Sequence, residues 1–382
     1  MLGRALLAVL LGLCGCVRKV PVLERPRMTV AEVAERIPEK ANDREGWATD
    51  VRAALDERQF PADPETVCQV LAIIEQESGF QADPPVPGLP KLLRSELEKK
   101  VEKLGPLGKP ALHELLSGKA PGSKHTFEQR LGTLKTERDL DVLFRDILHF
   151  YEEKFPAPYK AIDLIGALFD ASPEDFNPVT TVGSMQVSVR FAEELAAKER
   201  KEVSEVRDAL YTRAGGVFYG TARLLTHQAA YSQPLFRFAD YNAGVYASRN
   251  AALQEQVSDL VKEPLTLDGD LLAYDKSGTP LARDTKSLSA ILTFRAKFAP
   301  ELSERRVRAD VHEEKTAEFE ATETWRAIKR VWAQRKAADP PYARVPEVTL
   351  KSPKMSTDRS TAWFAKNVNA RYQRCLERPN RP

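Results

Sequence analysis

Apolar residues recur at i, i+3, i+4 and i+7 along most of the chain, the spacing of one face of an α-helix. Such stripes run over residues 30–58, 64–78, 91–116, 127–154, 159–170, 190–197, 203–229, 285–298 and 313–336. Strict alternation is scarce, and Leu265-Thr266-Leu267 and Glu347-Val348-Thr349-Leu350 are the only short strand candidates. Breaks fall at Pro84-Pro85-Val86-Pro87-Gly88, Pro121-Gly122-Ser123, Pro156-Ala157-Pro158, Ser172-Pro173 and Asp339-Pro340-Pro341. The pattern predicts a mainly α protein without internal repeats or low-complexity tracts.

The helix over 64–78 can be built residue by residue. Asp63 is a good N-cap, Pro64 suits the first helical position, and Glu65 favours the positive end of the dipole. Val67, Val70, Leu71 and Ile74 form the apolar stripe, and Gly79 terminates the helix. The helix ends Ile73-Ile74-Glu75-Gln76-Glu77-Ser78-Gly79-Phe80. At about 100° per residue, Glu77 lies roughly 50° from the centre of the stripe and Glu75 roughly 110°. Glu77 is therefore the better candidate for a carboxyl at the edge of an apolar pocket. Burial there disfavours the charged form and raises the pKa, as a general acid near neutral pH requires. The plainer alternative is a surface Glu at a helix end.

Composition narrows the class. The 382 residues allow two or three units at roughly 150 residues per domain. With Lys plus Arg at 57 and Asp plus Glu at 55, the net charge is +2, unlike the strongly basic balance of a dedicated nucleic-acid binder. Four cysteines are too few for a disulfide scaffold. The histidines, His113, His125, His149, His227 and His312, show no metal-ligand spacing, so neither a metal nor another cofactor is expected. Arg305-Arg306-Val307-Arg308, followed by Asp310, Glu313 and Glu314, reads as a solvated helix face.

The one long apolar run is at the N-terminus, where Arg4 precedes Ala5 to Leu13, too short to span a bilayer. Leu13-Cys14-Gly15-Cys16 resembles a bacterial lipobox, with small Gly15 before Cys16. The resemblance implies a signal peptide over 1–15, a lipidated Cys16, and a polar, proline-bearing tether over 16–28. The alternative is a plain secretory signal cut elsewhere. Val17, where an Asp would signal inner-membrane retention, implies an outer-membrane lipoprotein facing the periplasm. In that oxidising compartment Cys68 and Cys375 could pair, or both could remain buried thiols.

Three segments accompany the Glu77 helix in order: Glu77-Ser78-Gly79-Phe80, then Gly183-Ser184-Met185-Gln186, then Tyr241-Asn242-Ala243-Gly244. Together they resemble the lytic transglycosylases of glycoside hydrolase family 23, relatives of goose-type lysozyme. Arg213-Ala214-Gly215-Gly216-Val217-Phe218-Tyr219 looks like that family's helix between the second and third motifs. The resemblance implies a lysozyme-like helical core over 29–84 and 176–267, with Glu77 as the single acid/base. It implies that Ser78, Gly183, Met185, Gln186, Tyr241 and Asn242 bind the glycan. Asp240 stands where the family often has a small residue and receives no chemical role.

The implied reaction cleaves the β-1,4 bond between N-acetylmuramic acid and N-acetylglucosamine in peptidoglycan strands. Most glycosidases need two carboxylates, but substrate assistance by the sugar's acetamido group is a known exception. Glu77 would protonate the glycosidic oxygen, then take the proton of the C6 hydroxyl as a 1,6-anhydro ring closes. Alternatives are a hydrolysing muramidase and a non-catalytic peptidoglycan-binding envelope lipoprotein.

The chain departs from the family in two places. Roughly a hundred residues, not a short loop, separate Gly79 from Gly183. Residues 85–175 therefore read as a helical insertion: a lid, a substrate selector, a docking unit for an envelope protein, or a decorative subdomain. The family's late tyrosine segment is not evident, with Tyr274 a stand-in at best. Residues 268–382 read as a C-terminal helical region whose Trp325, Trp332, Trp363, Phe364 and Tyr372 are packing residues. As a whole, the chain resembles an uncharacterised family of proteobacterial lipoproteins containing a domain of unknown function. Ser352-Pro353-Lys354, Trp363-Phe364-Ala365 and Arg371-Tyr372-Gln373-Arg374-Cys375 carry that resemblance.

Overall fold

In the computed structural model, residues 27–103, 105–154, 177, 179–275, 278–350 and 359–378 are described. Cys16 with its signal segment, and the stripe expected over 159–170, lie outside them. The described chain is mainly α-helical. Its first half contains α1 (Val30–Arg36), α2 (Arg44–Glu57), α3 (Pro64–Glu77), α4 (Leu89–Lys103), α5 (Gly108–Ser117), α6 (Phe127–Leu131) and α7 (Glu137–Lys154). A two-residue hairpin follows, β1 (Thr181–Val182) antiparallel to β2 (Val187–Ser188). Then come α8 (Val189–Lys198), α9 (Val206–Leu210), α10 (Arg213–Leu225), α11 (Pro234–Ala243) and α12 (Ala247–Val261). The chain continues with α13 (Lys286–Phe298), α14 (Glu304–Val311), α15 (Glu323–Lys336), a second small ribbon pairing Thr349–Leu350 with Arg359–Ser360, and α16 (Thr361–Glu377). Thr349 and Leu350 are thus in a strand, whereas Leu265 to Leu267 form none.

Long stripes broke where local chemistry offered a cap. The stretch 30–58 divides at Pro38 and at left-handed Asp43, whose carboxylate accepts from the Gly46 amide at 3.1 Å. The stretch 203–229 divides at Thr212, whose hydroxyl caps α10 by accepting from Gly215 N at 3.0 Å. Hydrophobic period alone does not report such stops, because the side chain competes locally with the helix ladder.

α3 runs through the first of two hydrophobic clusters. The Asp63 carboxylate accepts from Thr66 N at 2.8 Å, as the cap requires. Val67, Cys68, Val70, Leu71, Ala72, Ile73 and Ile74 are all buried, so the apolar face is wider than a single stripe. The cause is packing on several sides: α10, α2 and α16 all lie against α3. Each fully buried Val, Leu or Ile there contributes about 1.5–3 kcal/mol. The same cluster takes in α1, α2, the helices α4 to α7, the hairpin, α8 to α11, and α16.

The buried residues of the C-terminal helical region, 268–382, divide between two hydrophobic clusters. Phe364, Ala365, Val368, Tyr372 and Cys375 of α16 belong to the first cluster, beside α3 and α11. Cys68 and Cys375 are joined by a disulfide with a Cα–Cα distance of 5.6 Å. The second cluster is built from α12 to α15. At its centre Arg249 is fully buried, donating to Glu314 O at 2.6 Å and Thr316 O at 2.9 Å with its guanidinium 3.9 Å from the Tyr246 ring. Tyr274 also belongs there, donating to the Glu314 carboxylate, and is no stand-in for a tyrosine beside Glu77. Trp325, Phe364 and Tyr372 are buried packing residues, whereas Trp363 is exposed.

The insertion closes on itself. Val86 N donates to Lys135 O at 2.8 Å, and Pro85 pairs with Thr136 across an isolated antiparallel bridge. The chain that leaves just after the Glu77 turn thus returns to the same place, and α7 starts there. Leu140, Leu143, Phe144 and Ile147 of α7 are buried in the first cluster.

Candidate active site

Glu77 is the last residue of α3, with Ser78 as the C-cap. Gly79 and Phe80 both take left-handed backbone, φ +60° and +65°. That conformation costs a non-glycine residue about 1 kcal/mol or more, and the burial of Phe80 against Trp47, with ring centroids 5.6 Å apart, offsets it. The turn so fixed leaves Glu77 partly accessible, with no hydrogen bond or ion pair among the described residues. Burial pushes the Glu77 carboxyl up to about 7; the Glu137 charge adds to the rise and Arg371 opposes it.

Glu75 fares differently. Its carboxylate is paired with Arg378 at 3.0 Å and Arg374 at 3.7 Å, both on the C-terminal segment. Those ion pairs fasten α16 to the end of α3.

The second motif forms the hairpin loop between β1 and β2. Gly183 has φ +79°, and a Cβ there would stand 2.1 Å from Leu210 O. Its glycine requirement therefore comes from α9 pressing on the loop. Gln186 N closes the turn by donating to Gly183 O at 3.0 Å. The Gln186 side chain is held at both ends: Nε2 donates to Glu137 Oε2 at 3.0 Å, and Oε1 accepts from Thr181 Oγ1 at 3.1 Å.

Tyr241 and Asn242 close α11. The Tyr241 hydroxyl donates to Met185 O at 2.7 Å, which ties the third motif to the second. Burial and the nearby Glu77 charge both push the Tyr241 hydroxyl's pKa up, so it remains a donor. Asn242 Oδ1 accepts from Thr361 Oγ1 at 2.9 Å, which ties the motif to the start of α16. Asp240 is buried and structural: it accepts from Tyr246 N at 3.1 Å and Ser248 N at 2.7 Å, and from the Tyr231 hydroxyl.

Two expected glycan contacts are corrected. Met185 is 0% exposed and packs on Gly220, where an added Cβ would meet its Sδ at 2.3 Å. It supports the loop from below and offers its carbonyl to Tyr241, so no sugar reaches its side chain in this conformation. Ser78 is also buried, and its hydroxyl is engaged by Ile74 O at 3.1 Å and Gln81 N at 3.4 Å. Its work is to shape the turn. Both corrections have one physical origin: a motif position does not say which way a side chain points.

Two groups beside Glu77 come from outside the motifs. Glu137 opens α7, inside the insertion, and Arg371 lies on α16. A capping signal was visible for the first: Thr136 Oγ1 accepts from Asp139 N at 3.2 Å, and Asp139 Oδ2 accepts from Thr136 N at 3.1 Å. That signal places a helix start at Glu137, but only the fold brings it to Gln186. Among the described residues, no group of His, Cys, Asp and Glu is arranged to hold a metal ion.

The site thus joins an acid on a helix end, unpaired among the described residues, with a hairpin loop and a tyrosine–asparagine pair within a mainly α fold. The chain belongs to the family described as "Protein of unknown function (DUF1615)", whose profile matches residues 40–378. It is similar to "Uncharacterized protein YaiW" of Escherichia coli (strain K12), 34% identical over 381 residues, covering 98% of this chain and 97% of the relative. No solved structure matches the chain.

Proposed function

We propose that this protein is a lytic transglycosylase with a lysozyme-like core. It acts on peptidoglycan strands from the periplasmic face of the outer membrane, anchored through Cys16. The observation that carries this reading is the Glu77 carboxyl: without an ion pair among the described residues, at the edge of an apolar pocket that pushes it up to about 7, and beside Tyr241. A carboxyl with that pKa holds its proton near neutral pH long enough to give it to a leaving glycosidic oxygen. Once ionised it is basic enough to take the C6 hydroxyl proton as the anhydro ring forms. Ring closure is intramolecular, so orientation supplies much of the rate and water must be kept away. Gln186 and Asn242 offer amide groups suited to an N-acetyl sugar, each already held in one orientation.

A second reading, hydrolysis by a muramidase, is favoured by one observation. Glu137 places a second carboxyl near Glu77, and hydrolysing glycosidases commonly use two. The mass of the product separates the two: an anhydro end is lighter by one water than a reducing end. Glu77→Gln is expected to lower glycan cleavage by about a thousandfold or more while leaving the helical circular dichroism spectrum unchanged. Full activity in that variant would move the acid elsewhere, and binding of glycan without turnover by the unaltered protein would support a non-catalytic lipoprotein.

A further inference from the structure

Glu137 is 8% exposed and opens α7, where a carboxylate favours the positive end of the helix dipole. Its Oε2 takes one end of the Gln186 amide, and Thr181 takes the other. The amide is thereby fixed against a flip, with its NH2 toward the insertion and its oxygen toward β1. Gln186 has left-handed backbone at φ +50°, and its Nε2 also donates to Gly183 O of the same loop at 3.5 Å.

The groups around Glu77 can be named by element. Glu137 on α7 acts on it with like charge, Arg371 on α16 with opposite charge, and Tyr241 on α11 lies beside it. Glu75, on the same helix, is occupied by Arg374 and Arg378. Glu137 comes from residues 85–175, which the three motifs do not cover.

We propose that Glu137 is a positioning residue of this site: it fixes the Gln186 amide and sets a negative charge against the Glu77 carboxyl. The insertion is then part of the active site and not an appendage to it. A standing negative charge serves both halves of an acid/base cycle. It keeps the proton on Glu77 until a bond breaks, and it strengthens the resulting carboxylate as a base. The kinetic part of this inference rests on the transglycosylase reading, but its electrostatic part does not.

The test uses three variants of the full chain. Glu137→Gln removes the charge but keeps an oxygen for Gln186. Glu137→Asp keeps the charge and withdraws it from the amide. Glu137→Ala removes both. Titration of the Glu77 carboxyl by carbon NMR, identified by its loss in Glu77→Gln, requires no turnover. The midpoint should move acidward in Glu137→Gln and Glu137→Ala by at least about half a pH unit. In Glu137→Asp it should stay near that of the unaltered protein. The Gln186 side-chain amide resonances should shift in Glu137→Asp and Glu137→Ala but hold in Glu137→Gln. Where glycan is cleaved, the alkaline limb of the pH–rate profile should follow the titration, and Glu137→Ala should lower kcat more than it raises KM. An unmoved Glu77 midpoint in Glu137→Gln overturns the proposal. If Glu137→Gln does not fold, unshifted Gln186 resonances in Glu137→Asp overturn it. Absence of any cleavage by the unaltered protein would contradict the functional reading and leave the titration to decide this one.

Discussion

Glu75 and Glu77 lie two residues apart on α3 and meet opposite environments. Helix phase already separated them: the residue nearer the apolar stripe is the one whose carboxyl is desolvated, and the other turns out to bind arginines. The raised Glu77 pKa carries a stability consequence. Between about 4.5 and about 7 the folded state holds a proton that the unfolded chain has released, so stability falls as pH rises through that window. Above the window the loss is complete, and below it there is none. Glu77→Gln should therefore be more stable than the unaltered protein at pH 8, on the order of 1 kcal/mol given solvent screening at a partly open residue. The gain should vanish below about pH 4.5, the ordinary value of a glutamate carboxyl. Urea unfolding of both proteins at pH 4 and pH 8 measures it, and an equal difference at the two pH values would contradict the assignment. What the sequence could not give at this scale was orientation. Met185 and Ser78 occupy motif positions but point into the protein, whereas Glu137 and Arg371, outside the three transglycosylase-like motifs, act on Glu77 through their charge.

The last helix is the element whose role the chain concealed best. Its aromatic residues read as packing residues of a helical region, and Phe364 and Tyr372 of α16 are buried as that reading expects. The partner was not legible, because its contact with α3 spans 307 residues of sequence. The cysteine pair was the one hint, since a Cys68–Cys375 bridge required the two helices to touch. α16 brings Thr361 to Asn242, Arg371 to Glu77, and Arg374 and Arg378 to Glu75. A bridge closing so long a loop constrains the unfolded chain strongly, and its loss costs about 2–5 kcal/mol. Cys375→Ser should lower the urea midpoint accordingly, and a reductant should do the same to the unaltered protein. The apolar residues of α16 should keep it seated at low denaturant, so any activity should persist there. A midpoint unaffected by both treatments would mean that the bridge contributes nothing to holding α16.

For the molecule as a whole, helix content and the order of the motifs were legible, while the assembly was not. The insertion closes by pairing residues 85–86 with 135–136, which returns α7 to the site. The C-terminal helical region is shared between two clusters. Both outcomes depend on contacts between residues far apart in the chain, which no local pattern encodes. The proposed anchor makes a prediction at this scale. The full chain should fractionate with outer membranes, and Cys16→Ser should release it, because several acyl chains at about 0.8 kcal/mol per buried methylene outweigh any surface attraction. Membrane retention of Cys16→Ser would contradict lipidation there. The central claim, that Glu77 drives a water-free cleavage of glycan strands, is tested most directly by mass spectrometry of what the soluble chain lacking residues 1–16 releases from purified peptidoglycan. The account predicts muropeptide products one water lighter than hydrolytic ones, absent with Glu77→Gln. Products at the hydrolytic mass, or anhydro products that survive Glu77→Gln, would contradict it.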